Sequence, residues 1–195
     1  MSFAWHLGAA ETLISDSKLH FSITIPNGFE AATDASKTMK CDYAFTRPPR
    51  SNEKLPTGIA ILGLSGTIGR NIPSQVKTPT GDPCEIQQYS WHTMDITAAA
   101  CPETVHGIQC VNLNAVVPLA PQAIRLTVFG EVSNRPELEG ILRSILSTLE
   151  GRSNWLTAEE RYDRLASLLG ALFGGGLVAW YYLRKKNKKV PPAPI

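Results

Sequence analysis

The sequence lacks the short motifs that mark the common catalytic and cofactor-binding sites. Its four cysteines include no Cys-x-x-Cys pair, the spacing typical of structural zinc sites and redox dithiols. The stretch from Gly63 to Gly69 has Thr67 where a nucleophile elbow requires glycine, and no Lys-Ser or Lys-Thr follows its glycines as in a phosphate-binding loop. We therefore predict a bulged strand at this stretch, no cofactor or metal, and no enzymatic activity.

The cysteines and histidines offer two weaker candidates for a functional role. His92, Cys101, His106 and Cys110 are a conceivable zinc set, but their spacing is longer and less regular than that of structural zinc sites. A disulfide such as Cys101–Cys110 is the second candidate, and it requires an oxidising compartment. Free thiols are the default expectation, because unpaired cysteine packs as a small hydrophobic residue.

His92 and Asp95 are close enough in sequence to suggest a base and its orienting carboxylate. On a regular strand, however, two residues three apart point to opposite faces of the sheet. The same alternation places Tyr89 and Trp91 opposite His92, and we expect these aromatic side chains in the core. The sequence therefore provides no catalytic residue.

Positive charge is scarce outside the C-terminus. Up to Glu160 the chain has 12 Lys and Arg against 16 Asp and Glu, a net charge of −4, whereas the remainder has 7 against 1, a net charge of +6. A mildly acidic domain gives no electrostatic reason to expect nucleic-acid binding. The basic cluster is expected to meet anionic lipid headgroups. Its members are Arg184, Lys185, Lys186, Lys188 and Lys189.

A charge-free segment near the C-terminus predicts one membrane helix. Residues 165–183 read LASLLGALFGGGLVAWYYL. As a helix these nineteen residues are about 28 Å long, close to the roughly 30 Å of a hydrocarbon core. Thr157 and Glu160 have the spacing of a capping box that starts the helix before the membrane. The span is assigned to Leu165, Leu169, Gly170, Phe173, Gly174, Val178, Trp180, Tyr181, Tyr182 and Leu183.

Two further interpretations of this segment stay open. A buried core helix or an interfacial amphipathic helix is the alternative to a membrane span. Gly170 and Gly174 also have the small-xxx-small spacing that lets two membrane helices approach closely. A homodimer through the anchor helix is therefore a candidate assembly.

The orientation of a tethered domain is ambiguous from the sequence. No signal peptide is apparent, because Glu11 and Asp16 interrupt the N-terminal region and no basic stretch precedes it. A tail anchor inserted after translation leaves its domain in the cytosol, which is the orientation that we expect. The positive-inside rule favours the reverse, with the basic cluster in the cytoplasm and the domain outside.

Residues 1–150 have the pattern of one α+β domain. Leu19 to Ile25 alternates apolar and polar residues as a half-buried strand does. From Pro136 to Glu150 the apolar residues recur at helical spacing. Further strands are predicted at 41–46, 58–68, 85–97 (a long strand or a hairpin), 108–119 and 123–132.

Strands followed by one packed helix indicate the α+β class. We predict a mostly antiparallel sheet of about six strands with a packed C-terminal helix, followed by one transmembrane helix. The predicted organisation is a soluble domain at 1–150, a hinge at 151–156, an anchor helix at 157–184 and a basic, proline-rich tail at 185–195.

Two stretches resemble the PsbP/Mog-type fold. FSITIP at 21–26, followed by a turn and Phe29, is similar to the opening strand of that family, and RPELEGILRSILSTL at 135–149 is similar to its closing helix. The resemblance covers about residues 10–150. It implies a central antiparallel sheet flanked by helices and a protein that binds and stabilises other proteins. The family is not normally carried on a C-terminal membrane helix.

The leading functional hypothesis is a membrane-tethered interaction or accessory module that binds a protein partner at the lipid bilayer. A tail-anchored enzyme, with hydrolase or thiol chemistry at His92 and Cys101, is the first alternative. A disulfide-stapled structural protein of a cell envelope is the second.

Overall fold

A computed structural model of the chain describes residues 10–69 and 75–155. The chain divides into two units, Met1–Trp155 and Leu156–Ile195, and all described residues belong to the first. The predicted membrane span, the basic cluster and the Gly170–Gly174 spacing therefore lie outside the described residues. Within the described residues, no helix combines the length and the apolar composition that a membrane crossing requires.

The described residues form two antiparallel sheets and two α-helices. The helices are α1 (Thr33–Met39) and α2 (Arg135–Thr148). The strands are β1 (Thr12–Asp16), β2 (Phe21–Ile25), β3 (Glu30–Ala31), β4 (Tyr43–Arg47), β5 (Thr57–Gly63), β6 (Val76–Lys77), β7 (Pro83–Trp91), β8 (Met94–Val105), β9 (Ile108–Val117), β10 (Ile124–Glu131) and β11 (Glu150–Gly151).

The larger sheet has the strand order β3-β4-β5-β10-β9-β8-β7-β6, and the smaller has the order β1-β2-β11. All pairings between these strands are antiparallel. The predicted α+β class with a closing helix is thus confirmed. The eleven strands outnumber the six expected for three reasons. β3, β6 and β11 contain two residues each and are too short to have a sequence period, β1 was not predicted, and the stretch 85–97 contains parts of two strands, β7 and β8.

Helix α2 supplies the main apolar layer over the larger sheet. Its buried residues are Leu138, Ile141, Leu142, Ile145 and Leu146, which confirms the predicted stripe. Leu138 of α2 packs against Gly130 of β10, where an added Cβ would lie 2.8 Å from Leu138 Cδ2. The glycine therefore lets the helix backbone come down onto the strand.

Residues 151–155 belong to the fold, although the sequence assigned them to a hinge. Gly151 pairs with Phe21 in the smaller sheet, and Ser153 forms an isolated bridge with Leu119. Trp155 is only 8% exposed and donates its indole N–H to the carbonyl of Ile68.

Candidate binding groove

The face of the larger sheet that points away from α2 is lined by small and polar side chains. From Ile96 to Ala100 on β8 and from Val111 to Val117 on β9, every second residue is buried in the core, so strand alternation turns the intervening residues to the outer face. Ala99 is one of these intervening residues and is only 9% exposed. This outer set is Thr97, Ala99, Cys101, Asn112, Asn114 and Val116. Bulky aromatic side chains are missing from it, which leaves the surface concave.

A groove with a volume of about 1470 Å³ runs over this face. We call it the outer-face groove: its floor is the outer set together with Ile86 and Arg125, and its wall is the segment 76–83. One end lies at Ile68, whose carbonyl accepts hydrogen bonds from the Trp155 indole N–H and from Asn154 Nδ2. The other end lies at Thr104 and Gln109, next to the turn between β8 and β9.

The wall of the groove is a short hairpin turn held by its own hydrogen bonds. The N–H of Thr78 donates to the carbonyl of Asp82, and the N–H of Gly81 donates to the carbonyl of Thr78, both at 2.9 Å. The carboxylate of Asp82 accepts a hydrogen bond of 2.6 Å from the Thr80 hydroxyl. Gly81 has φ +94°, a backbone conformation that favours glycine.

A disulfide joins the wall to the floor. Cys84 on β7 and Cys101 on β8 are bonded, with their Cα atoms 4.3 Å apart. Their neighbours Glu85 and Ala100 are directly paired, so the two cysteines lie opposite each other across the strands. The bond therefore fixes the base of the hairpin wall against the floor strand.

The predicted Cys101–Cys110 pairing is wrong. Cys101 lies opposite Asn112 on β9, and Cys110 lies opposite Glu103, so the two cysteines are diagonal neighbours. Diagonal positions in an antiparallel pair are about 7–8 Å apart, too far for the Cβ separation of a disulfide. Cys110 is a buried free thiol, and burial raises its pKa.

Cys41 is the other free cysteine among the described residues, and it is partly buried. Burial also raises the pKa of its thiol, so it stays protonated at neutral pH. It lies at the start of the loop before β4, where its Sγ contacts the carbonyl of Ser36 at 3.8 Å. This thiol takes no part in the groove.

The two asparagines of the floor are held in fixed orientations. Asn112 donates its Nδ2 to the carboxylate of Glu103, and Asn114 donates its Nδ2 to the backbone carbonyl of Asn112 at 3.3 Å. The Thr127 hydroxyl donates to Asn114 Oδ1 at 2.8 Å. Asn112 lines the groove, and no donor to its Oδ1 is found among the described residues, so this oxygen remains available as an acceptor.

The charges that line the groove cancel. Lys77 and Arg125 are opposed by Asp82 and Glu103. Both carboxylates already accept hydrogen bonds from side chains of the groove, whereas the two cations have no hydrogen-bond or ion-pair partner among the described residues. The groove is therefore neutral overall.

The candidate zinc set is dispersed by the fold. His92 lies in the turn before β8 and His106 in the turn after it, both with φ +50°. The twelve residues of β8 separate these turns by about 37 Å. Cys101 is in the disulfide, and in the described part of the chain no three His, Cys, Asp or Glu residues are grouped to hold a metal ion.

His92 and Asp95 do not form a base–carboxylate pair in the structure. Asp95 lies opposite Ser90 in the β7–β8 pair, and the carboxylate nearest His92 is that of Glu150, at 3.8 Å. Tyr89 and Trp91 are buried, which confirms their predicted place in the core. Neither His92 nor any other described histidine lines the groove.

A second polar cluster lies on the opposite side of the sheet, at the start of α2. Arg47 is 8% exposed and donates to Glu137, Glu53 and the Thr57 hydroxyl. Burial acts to raise the pKa of Glu137, but its hydrogen bond and ion pair with Arg47 lower it below the usual value. The three partners engage Nη1 and Nη2 of the guanidinium, whereas the buried Nε has no hydrogen-bond partner among the described residues. The cluster ties the loop between β4 and β5 to the start of α2.

Comparison with known proteins yields a likeness in fold alone. No family model and no curated protein matches the chain. A solved structure from Bacteroides thetaiotaomicron VPI-5482 is 12% identical, with a TM-score of 0.47, and the match covers 73% of this chain and 48% of that one. The chain thus spans about half the length of this neighbour.

Two other solved structures have a similar likeness. LpqN of Mycobacterium tuberculosis, described as involved in cell envelope biogenesis, is 12% identical, with 71% and 88% of the two chains covered and a TM-score of 0.42. The cyanobacterial PsbP of Synechocystis sp. PCC 6803 is 13% identical, with 77% and 98% covered and a TM-score of 0.43. A PsbP is thus among the structures similar to this chain, at a level that carries no conclusion about function.

Proposed function

We propose that this chain is a membrane-tethered binding module and that the outer-face groove holds its partner. The observation that carries the proposal is the groove itself. It is concave, it combines aliphatic floor residues with fixed amide groups, and its wall is pinned by a disulfide. Ligand sites are typically concave surfaces with a few polar groups held in place.

The lining chemistry supports binding rather than catalysis. The alternative of thiol chemistry requires His92 and Cys101 in one pocket. Cys101 is instead bonded to Cys84, and His92 lies in the turn before the first residue of β8. The groove carboxylates, Asp82 and Glu103, are each engaged by a side-chain donor. These contacts leave no free nucleophile beside a base among the described lining residues.

The tether in this proposal is the apolar segment 165–183, followed by the basic cluster. The disulfide supports an orientation opposite to the one expected from post-translational insertion, because disulfides persist in oxidising compartments. The positive-inside rule gives the same answer, since it places the basic cluster in the cytoplasm. The domain would then face the outside or a lumen.

Site-specific photocrosslinking in native membranes tests the docking role. The photoreactive residue p-benzoylphenylalanine is placed at Gln109, which is exposed and lines the groove, and in a control chain at Ser144, which is exposed on α2. We expect a discrete adduct from Gln109 that disappears when Ala99→Phe fills the floor. The same adduct from Ser144, or no adduct from Gln109, contradicts the proposal.

A further inference from the structure

We infer that the occupant of the outer-face groove is an extended polypeptide segment with mainly small, uncharged side chains. This inference rests on the proposed docking role and names the class of partner. It follows from the length of the groove, the spacing of its hydrogen-bonding groups and its charge.

The dimensions fit a linear chain better than a compact ligand. From Thr97 to Thr104 the floor strand extends over about 24 Å, at roughly 3.4 Å per residue. An extended peptide of about seven residues has the same length. The volume of about 1470 Å³ exceeds the range of roughly 300–1,000 Å³ that is usual for small-molecule pockets.

The polar groups of the floor repeat at the period of a polypeptide backbone. Asn112 and Asn114 are two residues apart on β9, so their amides are separated by about 6.8 Å along the strand. In an extended peptide, groups that point to the same side recur at the same interval. The free Oδ1 of Asn112 can accept a peptide N–H, and the second N–H of Asn114 Nδ2 can donate to a peptide carbonyl.

The charge and the lining exclude a nucleic acid. Phosphate backbones require an excess of Lys and Arg, and here two cations are balanced by two carboxylates. Single-stranded bases stack on aromatic side chains, and none of the described lining residues is aromatic. The aliphatic floor residues Ile86, Ala99 and Val116 leave shallow space suited to small side chains.

Selection of peptides on the complete chain tests the inference. The probe is a display library of random twelve-residue peptides, applied to the full-length protein in detergent micelles and depleted on the Ala99→Phe variant. We expect enriched peptides whose dissociation constant, measured by fluorescence anisotropy, rises at least tenfold in Ala99→Phe and is unchanged in Ser144→Phe. Asn112→Leu keeps the branching of the side chain but removes the free acceptor and the hydrogen bond to Glu103, and it should raise the dissociation constant three- to tenfold.

The outcomes separate this inference from the docking role. The inference is overturned if the selected peptides bind the Ala99→Phe variant and the unaltered chain with equal affinity, or if no peptides are enriched. Maltoheptaose, a neutral oligosaccharide, serves as the competing probe, and groove-dependent binding of it in place of peptides also overturns the inference. In the crosslinking experiment, a Gln109 adduct whose crosslinked partner is not degraded by protease identifies a non-peptide partner. This outcome is consistent with the docking role but contradicts the polypeptide inference.

Discussion

The buried guanidinium of Arg47 holds the loop between β4 and β5 against the start of α2. Its partner Glu53 has a side chain that is 2% exposed, so removal of the arginine leaves a carboxylate that is buried and has lost its countercharge. We predict that Arg47→Met lowers the free energy of unfolding by about 3–5 kcal/mol. Pulse proteolysis in urea measures this change on the complete chain.

Arg50→Met is the matched control for this prediction. Arg50 pairs with the same Glu137, but its side chain is 56% exposed, and exposed pairs contribute less than about 1 kcal/mol. Equal losses for the two variants would show that burial of the Arg47 cluster has no energetic weight.

Asp16 and Tyr43 give the domain a defined acid sensitivity. Burial acts to raise the pKa of Asp16, but hydrogen bonds from the Leu19 N–H, the Tyr43 hydroxyl and the Lys18 N–H lower it below 3.8. A carboxyl whose pKa is lower in the folded state stabilises the fold above its unfolded pKa, and the contribution is lost as the pH falls through the folded value.

We therefore predict that Asp16→Asn destabilises the fold at pH 7 and that its difference from the unaltered chain shrinks below pH 3.8. The pH dependence of the urea midpoint measures this effect. Burial and the hydrogen bond to Asp16 raise the pKa of its partner Tyr43 to about 12. If the pH profile of Asp16→Asn matches that of the unaltered chain, Asp16 is not the titrating group.

Periodic elements could be predicted from the sequence, and elements defined by their neighbours could not. Strand β2 and helix α2 bury one face each, so their patterns have periods of two and 3.6 residues. Helix α1 has no buried residue and therefore no stripe to detect. Strand β8 continues through Pro102 to Val105, where exposed side chains interrupt the alternation.

The disulfide can be predicted from the sequence once the position of the β7–β8 turn is known. Trp91 pairs with Met94 across the turn, and counting outward from this pair brings Cys84 opposite Cys101. The sequence leaves 85–97 open as a long strand or a hairpin, because His92 occupies a positive φ without the Asn-Gly or Asp-Gly signal typical of tight hairpins. One turn residue thus concealed the register of two strands.

At the level of elements, the contact of α2 with β10 depends on the missing side chain of Gly130. Leu138 is fully buried, so close packing opposes its displacement by an added Cβ, which would lie 2.8 Å from its Cδ2. We predict that Gly130→Ala lowers the free energy of unfolding by about 1–3 kcal/mol through overpacking. The control is Gly140→Ala on the exposed side of α2, where a Cβ meets no atom within 4 Å.

Gly140→Ala should instead stabilise the domain by about 0.5–1 kcal/mol, because alanine favours the helix. Urea titrations of the two variants, compared under the same conditions, measure the difference. If both variants change the free energy of unfolding in the same direction, close packing at Gly130 does not determine the effect of the added methyl group.

At the level of the whole molecule, the groove emerges only after folding. Its floor combines residues from β7, β8, β9 and β10, and its wall lies between β6 and β7. Asn112 and Asn114 are ordinary strand residues in the sequence, with no motif to mark them. Strand alternation predicts that they share a face, but which face α2 leaves open depends on the tertiary arrangement.

The orientation of the domain links the disulfide to the C-terminal charge pattern. If the domain faces an oxidising compartment, Cys84 and Cys101 are bonded in the native membrane, while Cys41 and Cys110 remain thiols. We predict that a maleimide of high mass modifies two cysteines per denatured chain before reduction and four afterwards. Ala substitution of Cys84 and Cys101 together should abolish the increase, whereas substitution of Cys41 and Cys110 should preserve it.

Protease accessibility on the same membranes completes the test. Protease added to the outside of intact cells, or to the lumenal side of opened organelles, should digest the domain and spare a fragment that contains the basic cluster. This outcome is expected for the proposed orientation, in which the positive-inside rule places Arg184 to Lys189 on the cytoplasmic side. Four free thiols, together with a domain digested only from the cytoplasmic side, would instead identify a cytosol-facing tail-anchored module whose groove wall is not fixed covalently.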